Sequence, residues 1–201
     1  MTVPVPATAP APGAPLVSIV IVCMDNLENL RPCLRSIREH TRVPHETLVV
    51  AYLFSPENLR AAREEFPWAT FIESNEIRGF SENNNLALRR ARGRFCLVLN
   101  DDTRMDMPVV DRLVATFDDL PSEAAIVSPV IVAPDGRVLL NGKEPIDWLD
   151  IVLEFTRLPW PRLRRRRERW TGRTGVYRTW NITGACFMIK TDAFREAGWF
   201  D

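Results

Sequence analysis

Hydrophobic positions along this chain switch repeatedly between two spacings. Residues 17–22 are almost continuously apolar and β-branched, which is typical of a strand buried on both faces of a parallel sheet. Leu27, Leu30, Leu34 and Ile37 then recur at helical spacing. The chain therefore begins its ordered part with a predicted strand and a predicted crossover helix.

The same succession continues through the first two thirds of the sequence. The pattern predicts strands at 46–52, 68–73, 95–100 and 124–132, and helices at 56–66, 81–92 and 107–120. Alternation of this kind favours a doubly wound α/β sheet. The turn at Pro134, Asp135 and Gly136 predicts a hairpin, which would make the sheet mixed but mostly parallel. Later, 146–155 has helical spacing, 181–190 predicts a turn into a strand, and Asp192 is the expected cap of a short helix.

The predicted strand at 95–100 ends in an unusual group of polar residues. Asn100, Asp101 and Asp102 follow directly after an apolar run. Two adjacent carboxylates at the tip of a buried strand are costly unless a positive group offsets their repulsion. Oxygen ligands favour Mg²⁺ or Mn²⁺, and such an ion can bind a diphosphate. An ordinary strand-to-turn junction also uses Asn and Asp, so the flanking motifs must decide.

Composition excludes several classes of protein. Lys and Arg together number 26, as do Asp and Glu, so no global field attracts nucleic acid. The four cysteines are scattered without a C-x-x-C pair, which argues against a zinc site or a disulfide framework. Residues 1–15 are rich in Ala and Pro and resemble neither a signal peptide nor a membrane span. We expect a disordered leader at 1–15, one domain at 16–201, and a cytoplasmic protein.

Five segments in order resemble motifs of the family 2 glycosyltransferases, in particular the bacterial rhamnosyltransferase-like members. The opening strand at 17–22 is similar to theirs, and 75–85 resembles their N-x-G-F-x-x-x-N-N segment. Residues 99–103 look like the family's metal motif, and 183–189 like its donor-side turn. Gly198, Phe200 and Asp201 resemble the start of its G-x-F-D-E segment. Together these motifs extend from Val17 to the last residue.

The resemblance implies a GT-A (Rossmann-like) fold, a mixed and mostly parallel sheet flanked by helices, that binds a nucleotide-diphosphate sugar. It implies Asp102 as the ligand of Mg²⁺ or Mn²⁺. Asn100 and Asp101 would bind the ribose, the sugar or metal-bound water, three roles that the sequence does not separate. The other donor-binding residues that it implies are Asp25 and Asn26 beside the base, Arg78 at the phosphate or nucleotide, Gly79, Asn84 and Asn85 in preference to Asn83, and Gly184 with Ala185 under the sugar.

Two positions depart from the family's pattern. Ala51 occupies the place where the second strand usually ends in an acid that reads the base. Stacking of Tyr52 or Phe54 on the base is one alternative, but aromatic residues next to a strand more often belong to the core. Family members continue beyond F-D-E into a segment that supplies the general base and the acceptor side, whereas this sequence stops at Asp201. Asp201 is the motif-matched candidate for the base. Because a carboxylate on a fraying chain end is poorly preorganised, an incomplete active site is favoured over Asp201 as an effective base.

The leading hypothesis is an inverting, metal-dependent glycosyltransferase that uses a dTDP- or UDP-sugar and a cell-surface glycan or lipid-linked acceptor. The alternative is a truncated or non-catalytic remnant that binds a nucleotide sugar or a partner protein. A nicotinamide-dependent Rossmann enzyme is disfavoured because no G-x-G-x-x-G follows the first strand. The basic run at 162–169 favours a solvated loop, with peripheral contact to the inner face of the membrane as the second interpretation.

Overall fold

The computed structural model describes residues 13–139, 175–179 and 182–201. The chain divides into two compact units, one formed by the chain up to Val127 together with Met188–Asp201, and the other formed by Ser128–Phe187. Most of the expected leader, the expected helix at 146–155 and the basic run at 162–169 lie outside the described residues. These three remain predictions.

The helices and strands follow the predicted alternation. In chain order they are β1 (Val17–Met24), α1 (Leu27–His40), β2 (His45–Tyr52), α2 (Pro56–Glu65), β3 (Thr70–Ser74), α3 (Phe80–Leu88), β4 (Phe95–Asn100), α4 (Val109–Asp119), β5 (Ile126–Val127), β6 (Ile131–Val132), β7 (Val138–Leu139), β8 (Cys186–Lys190) and α5 (Thr191–Glu196).

The main sheet has six strands in the order β3-β2-β1-β4-β8-β5. The pairs β1–β2, β2–β3 and β1–β4 are parallel, and β5–β8 is antiparallel. The prediction of a mixed, mostly parallel sheet is therefore confirmed. The chain moves from β1 outward to β3 on one side, then returns to place β4 on the other side of β1. Open α/β sheets bind ligands at the carboxyl ends of the strands where the order reverses, which here lies between β1 and β4.

The core explains why these segments form strands and helices. Buried apolar side chains fill both faces of β1 and β4, as expected for central strands covered by helices. Helix α1 turns Leu30, Leu34 and Ile37 inward, and all three are fully buried. Phe95 on β4 stacks on Phe117 of α4 with ring centroids 4.8 Å apart. The apolar stripes seen in the sequence thus hold the sheet rigid beneath its carboxyl edge.

Most element ends differ from the sequence-based expectation by one or two residues, and two elements and one helix cap differ by more. Helix α3 ends at Leu88 rather than residue 92, because the chain tightens there and the Arg90 amide bonds to Ala87 instead of Leu86. The expected strand at 124–132 is two short strands in different sheets, separated around Pro129, which lacks the amide that a ladder needs. The prediction that Asp192 caps the last helix is wrong.

That last helix, α5, has Lys190 at its N-cap. Asp192 lies in the first turn and accepts a hydrogen bond from Arg195 Nη1 at 3.0 Å. The second unit contains the β6–β7 hairpin around Gly136, which has a φ of 81°. The hairpin that Pro134, Asp135 and Gly136 predict is therefore confirmed. It forms a separate two-stranded sheet, so the expectation that it makes the main sheet mixed is wrong; the antiparallel β5–β8 pair does so.

Candidate functional site

The carboxyl ends of the four parallel strands lie at one edge of the sheet. The register pairs Met24 with Tyr52, Tyr52 with Ser74, and Val22 with Asn100. The segments that leave these strands therefore begin side by side. We call this the carboxyl edge, and it is where a doubly wound sheet holds its ligand.

Asp101 and Asp102 follow β4 at this edge. Asp101 is half-buried and Asp102 is exposed. Burial raises the pKa of Asp101, a hydrogen bond with the Cys23 thiol opposes that rise, and the neighbouring charge of Asp102 adds to it. The net effect is a raised pKa, so the fold by itself disfavours a negative charge on Asp101. A bound cation would reverse that preference.

The donor atoms at this corner fit a hard cation that binds few protein groups. The Asp102 carboxylate has no hydrogen-bond or ion-pair partner within residues 13–139, 175–179 and 182–201, so it is free to coordinate an ion. The same described ranges hold no cluster of three or more His, Cys, Asp or Glu side chains placed to enclose a metal. Mg²⁺ commonly uses one or two carboxylates and takes its other ligands from water and a substrate phosphate.

Asn100 is the last residue of β4 and precedes the two acids. Its backbone carbonyl accepts hydrogen bonds from the Thr103 amide at 3.3 Å and the Thr103 hydroxyl at 2.7 Å. This tight turn fixes the direction in which Asp101 and Asp102 leave the strand. The side chain of Asn100 is half-buried.

Asp25 connects the end of β1 to the start of α2. It has a left-handed φ of 47°. Its Oδ1 accepts hydrogen bonds from the Ser55 amide at 3.0 Å and from Asn58 Nδ2 at 2.9 Å. Asn26 is the N-cap of α1 and accepts from the Asn29 amide at 3.1 Å. Both residues therefore fix helix starts at the carboxyl edge, and their place beside a base stays a prediction.

Arg78 carries an unpaired donor at the same edge. Its amide donates to the Tyr52 hydroxyl at 3.3 Å, and its Nη2 pairs with Glu76 at 2.6 Å. Its Nε is buried without a hydrogen-bond partner. Within the described residues, the other buried and unpaired side-chain atoms are the neutral hydroxyls of Thr41 and Thr47. A charged donor left unpaired costs more than a hydroxyl, and a phosphate oxygen would satisfy it.

Gly79 is the N-cap of α3 and has an ordinary φ of −74°. Its amide donates to the Glu82 carboxylate at 2.9 Å. A Cβ at this position would meet only Glu82 Oε2, at 3.8 Å, which is an ordinary contact. Neither the backbone conformation nor a neighbouring atom requires glycine here. The space beside Gly79 is thus available to a group from outside the chain.

The three successive asparagines of α3 differ in their hydrogen-bond partners. Asn83 is buried, accepts from the Ser74 hydroxyl at 2.8 Å, and donates to the carbonyls of Arg78 and Gly79, both at 3.2 Å. Asn84 is buried and donates to the Phe80 carbonyl at 2.9 Å. Asn83 therefore supports the loop that carries Arg78, a role that the motif comparison did not identify.

Asn85 bonds to the far end of the chain. Its Nδ2 donates to the Phe200 carbonyl at 2.8 Å, and its Oδ1 accepts from the Phe200 amide at 3.2 Å. The Phe200 ring packs at 5.8 Å from Phe80 and 4.8 Å from Phe194. The expectation of a fraying end is therefore wrong as far as Phe200. Asp201 follows directly and is exposed.

Gly184 and Ala185 belong to the second unit. They form a turn immediately before β8, with Gly184 exposed and Ala185 half-buried. In the same unit the Ser128 hydroxyl donates to the Cys186 carbonyl at 2.7 Å. Their assignment to the donor sugar stays a prediction.

The second strand supplies no acid at the carboxyl edge. Ala51 is fully buried and lies in register between Cys23 and Glu73. Tyr52 uses its hydroxyl to fix the Arg78 amide, and Phe54 is half-buried. Sequence reasoning missed the supporting roles of Cys23 and Ser74, because only the strand register shows which residues they meet.

Comparison with known proteins agrees with this architecture. A mannosyltransferase from Pyrobaculum calidifontis, solved with GDP-Man and Mn²⁺, superposes with a TM-score of 0.62 at 18% identity, covering 96% of this chain and 50% of its own. GalNAc-T7, solved with UDP, GalNAc and Mn²⁺, gives 0.68 at 17% identity, covering 94% and 37%. TarS from S. aureus, solved with UDP-GlcNAc, gives 0.62 at 12% identity, covering 92% and 48%. These similarities show that the fold is of the GT-A type.

A sequence relative is the uncharacterized protein y4gI of Sinorhizobium fredii strain NBRC 101917 / NGR234. It is 28% identical over 207 residues, which cover 94% of this chain and 21% of that protein. The chain thus spans about a fifth of this relative's length and half or less of each solved structure. No helix in the described residues is long and apolar enough to cross a membrane. Residues 18–198 match the family described as Glycosyl transferase family 2, and the chain therefore belongs to that family.

Proposed function

We propose that this protein transfers a sugar from a nucleotide-diphosphate donor bound at the carboxyl edge between β1 and β4. Family membership supports this activity, and the strand order reverses between β1 and β4, which is where such sheets bind nucleotides. The observation that carries the proposal is the pair Asp101 and Asp102 at the point where the strand order reverses, with a raised pKa on Asp101. An acid with a perturbed pKa is common at functional sites.

Each residue at the carboxyl edge has a proposed role. Asp102 is the proposed ligand of Mg²⁺ or Mn²⁺, and Asn100 and Asp101 bind the ribose, the sugar or metal-bound water. Arg78 donates its unpaired Nε–H to a phosphate oxygen, and Gly79 lets the donor approach the backbone. When bound, the cation stabilises negative charge on the leaving diphosphate. The remaining proposed donor contacts are Asp25, Asn26, Asn84, Gly184 and Ala185. The Asn85 amide instead bonds to Phe200 through both its donor and its acceptor.

The solved relatives support a nucleotide-sugar donor, since their structures contain GDP-Man, UDP-GlcNAc or UDP with GalNAc. Our proposal for this chain is a UDP- or dTDP-sugar, with a rhamnosyltransferase-like specificity and a glycan or lipid-linked acceptor at the cytoplasmic face of the membrane. An inverting reaction needs a carboxylate that deprotonates the acceptor hydroxyl. Asp201, directly after the anchored Phe200, is the proposed base.

A second candidate function is nucleotide-sugar binding without transfer. Ala51 favours it, because this buried residue places no polar group where the family's second strand usually has an acid. A turnover assay with UDP- and dTDP-sugars separates the two functions. Sugar transfer or donor hydrolysis well above a metal-free control supports the enzyme, and donor binding without either supports the binding protein.

Calorimetry with UDP and dTDP, with and without Mn²⁺, tests the donor site. The wild-type protein should bind one of these nucleotides in a Mn²⁺-dependent manner. Asp102→Ala should lower that affinity by about tenfold or more, since one good charge-assisted contact is worth roughly 1.5–3 kcal/mol.

The matched control for this experiment is Asp106→Ala. Asp106 is also an exposed aspartate close after β4, but it lies beyond the motif. Its variant should bind as the wild type does. A folded wild-type protein that binds neither nucleotide, with or without Mn²⁺, contradicts the donor-site assignment.

A further inference from the structure

Asn85 and Phe200 form a two-way hydrogen-bonded pair. The Asn85 amide group donates to the Phe200 carbonyl at 2.8 Å and accepts from the Phe200 amide at 3.2 Å. This geometry imitates the pairing of one strand residue with another, although 115 positions separate the two residues. Both the donor and the acceptor of the Asn85 amide thus have a partner within the chain.

Aromatic packing strengthens the same connection. The Phe200 ring lies 5.8 Å from the ring of Phe80, which begins α3, and 4.8 Å from that of Phe194 on α5. Trp199 also packs edge-on against Phe194, at 5.6 Å. Offset and edge-on aromatic pairs stabilise a contact beyond the apolar area that they bury. The residue before Asp201 is therefore held from two helices.

The backbone just before Phe200 adopts a costly conformation. Gly198 has a φ of 90°, and Trp199, which carries a side chain, has a φ of 75°. A residue other than glycine persists in this region only where its surroundings fix it. Here the Trp199 amide donates to the Phe194 carbonyl at 3.2 Å, and the Asn85 pair follows one residue later. This turn is constrained on both sides.

We propose that Asn85 is a positioning residue that fixes the turn at 198–200 on α3 and so sets the place of the Asp201 carboxylate. The loop of Arg78 and Gly79 begins the same helix. A single rigid helix thus holds the proposed donor contacts at its start and the proposed base near its middle. The catalytic part of this inference rests on the proposed function. It also gives Asn85 a task other than contact with the donor.

Amide hydrogen exchange tests the anchor without any assay of activity. In the full-length protein, Asn85→Ala should reduce the protection of the Phe200 amide by about tenfold, because a hydrogen bond of ordinary strength is lost. Asn85→Asp keeps an acceptor for that amide but loses the Nδ2 donor, so its protection should lie between those of wild type and Asn85→Ala. This second variant also serves if the alanine variant does not fold.

The matched control is Arg89→Ala, because Arg89 is the exposed C-cap residue of the same helix. It should leave the protection of Phe200 unchanged. Unchanged protection in both Asn85 variants overturns the proposal.

Nucleotide binding and turnover then separate positioning from donor contact. If Asn85 positions Asp201, Asn85→Ala should keep its affinity for UDP or dTDP with Mn²⁺ within about twofold of wild type, while kcat falls at least tenfold. Phe200→Ala should have the same effect, since it loosens the same anchor from the other side.

The opposite pattern overturns the proposal. A tenfold loss of nucleotide affinity in Asn85→Ala, with normal protection of Phe200, would show direct contact with the donor. A wild-type protein that binds no nucleotide would refute the proposed function instead, and the exchange experiment would then decide the anchor by itself.

Discussion

The two ends of the parallel strands carry similar polar residues, but these residues differ in how far the protein itself supplies their hydrogen-bond and ion-pair partners. At the amino end, the Ser18 hydroxyl donates to Glu46 at 2.7 Å and accepts from the amides of Arg92 and Gly93 at 3.1 and 2.9 Å. The Glu46 carboxylate also receives two side-chain hydrogen bonds from Arg92, at 2.9 and 2.7 Å. Every polar group named here has its partner within the protein.

At the carboxyl edge, by contrast, charged groups lack partners within the described residues. Asp101 has a raised pKa, Asp102 is exposed without a partner in the described ranges, and Arg78 Nε is buried and unpaired. Burial also favours the neutral form of Glu46, but hydrogen bonds from Ser18 and Arg92, with the charge of Arg92, lower its pKa below the ordinary 4.5. The carboxylate of Glu46 is thus satisfied at the amino end, whereas the charged groups named at the carboxyl edge are left open. The open end is where a ligand gains most by binding.

The largest effect should come from filling the space at Gly93. A Cβ there would lie 2.6 Å from the Ser18 amide nitrogen and 2.8 Å from the Val17 carbonyl carbon, both backbone atoms that cannot move aside. Gly93→Ala should lower the free energy of unfolding by roughly 3 kcal/mol. Urea denaturation measures the loss.

Gly79→Ala is the matched control for that change, because its Cβ meets only a flexible side-chain oxygen at 3.8 Å. We expect it to leave stability within about 1 kcal/mol of wild type, as for a substitution at an exposed helix N-cap. A stable Gly93→Ala protein would show that the amino end is not the rigid part of this fold.

Glu46→Gln should have a smaller effect, about 2 kcal/mol at neutral pH, since a charge-assisted network is weakened. The folded-state pKa of Glu46 is lowered, so its stabilisation is fully present above the unfolded value of 4.5 and is lost as the pH falls through the lower folded-state pKa. The difference in stability between the two proteins should therefore shrink below about pH 4.5. Chemical denaturation at pH 7 and at pH 3.5 measures it, and a difference that does not depend on pH contradicts this origin.

The smallest expected effect on stability is a slight gain and not a loss. Asp101→Asn removes a carboxylate whose charge is disfavoured by burial and by Asp102, so the variant should melt at the same or a slightly higher temperature than wild type without metal. Thermal unfolding with and without Mn²⁺ tests this expectation. A clear loss of stability in the metal-free variant would place Asp101 with Glu46 among the structural acids.

The candidate site could be predicted in part, because its residues are near one another in sequence. Asn100 to Asp102 follow an apolar strand, and Arg78, Gly79, Asn84 and Asn85 lie in one segment. Contacts between distant segments could not be predicted. The pairing of Asn85 with Phe200 and the hydrogen bond from Asn58 to Asp25 depend on which helix crosses which strand and in what register.

The sequence by itself determined the alternation of strands and helices, the parallel character of the sheet and the acids that end β4. These follow from hydrophobic spacing and from the physical cost of charge at a buried strand end, which are local properties. Only the tertiary structure decided which polar groups are satisfied. Glu46 and Asp101 are both partly buried carboxylates, yet the fold surrounds one with donors and the other with a second acid. Hydrogen bonding and desolvation depend on neighbours that are remote in the chain, so no local pattern specifies them.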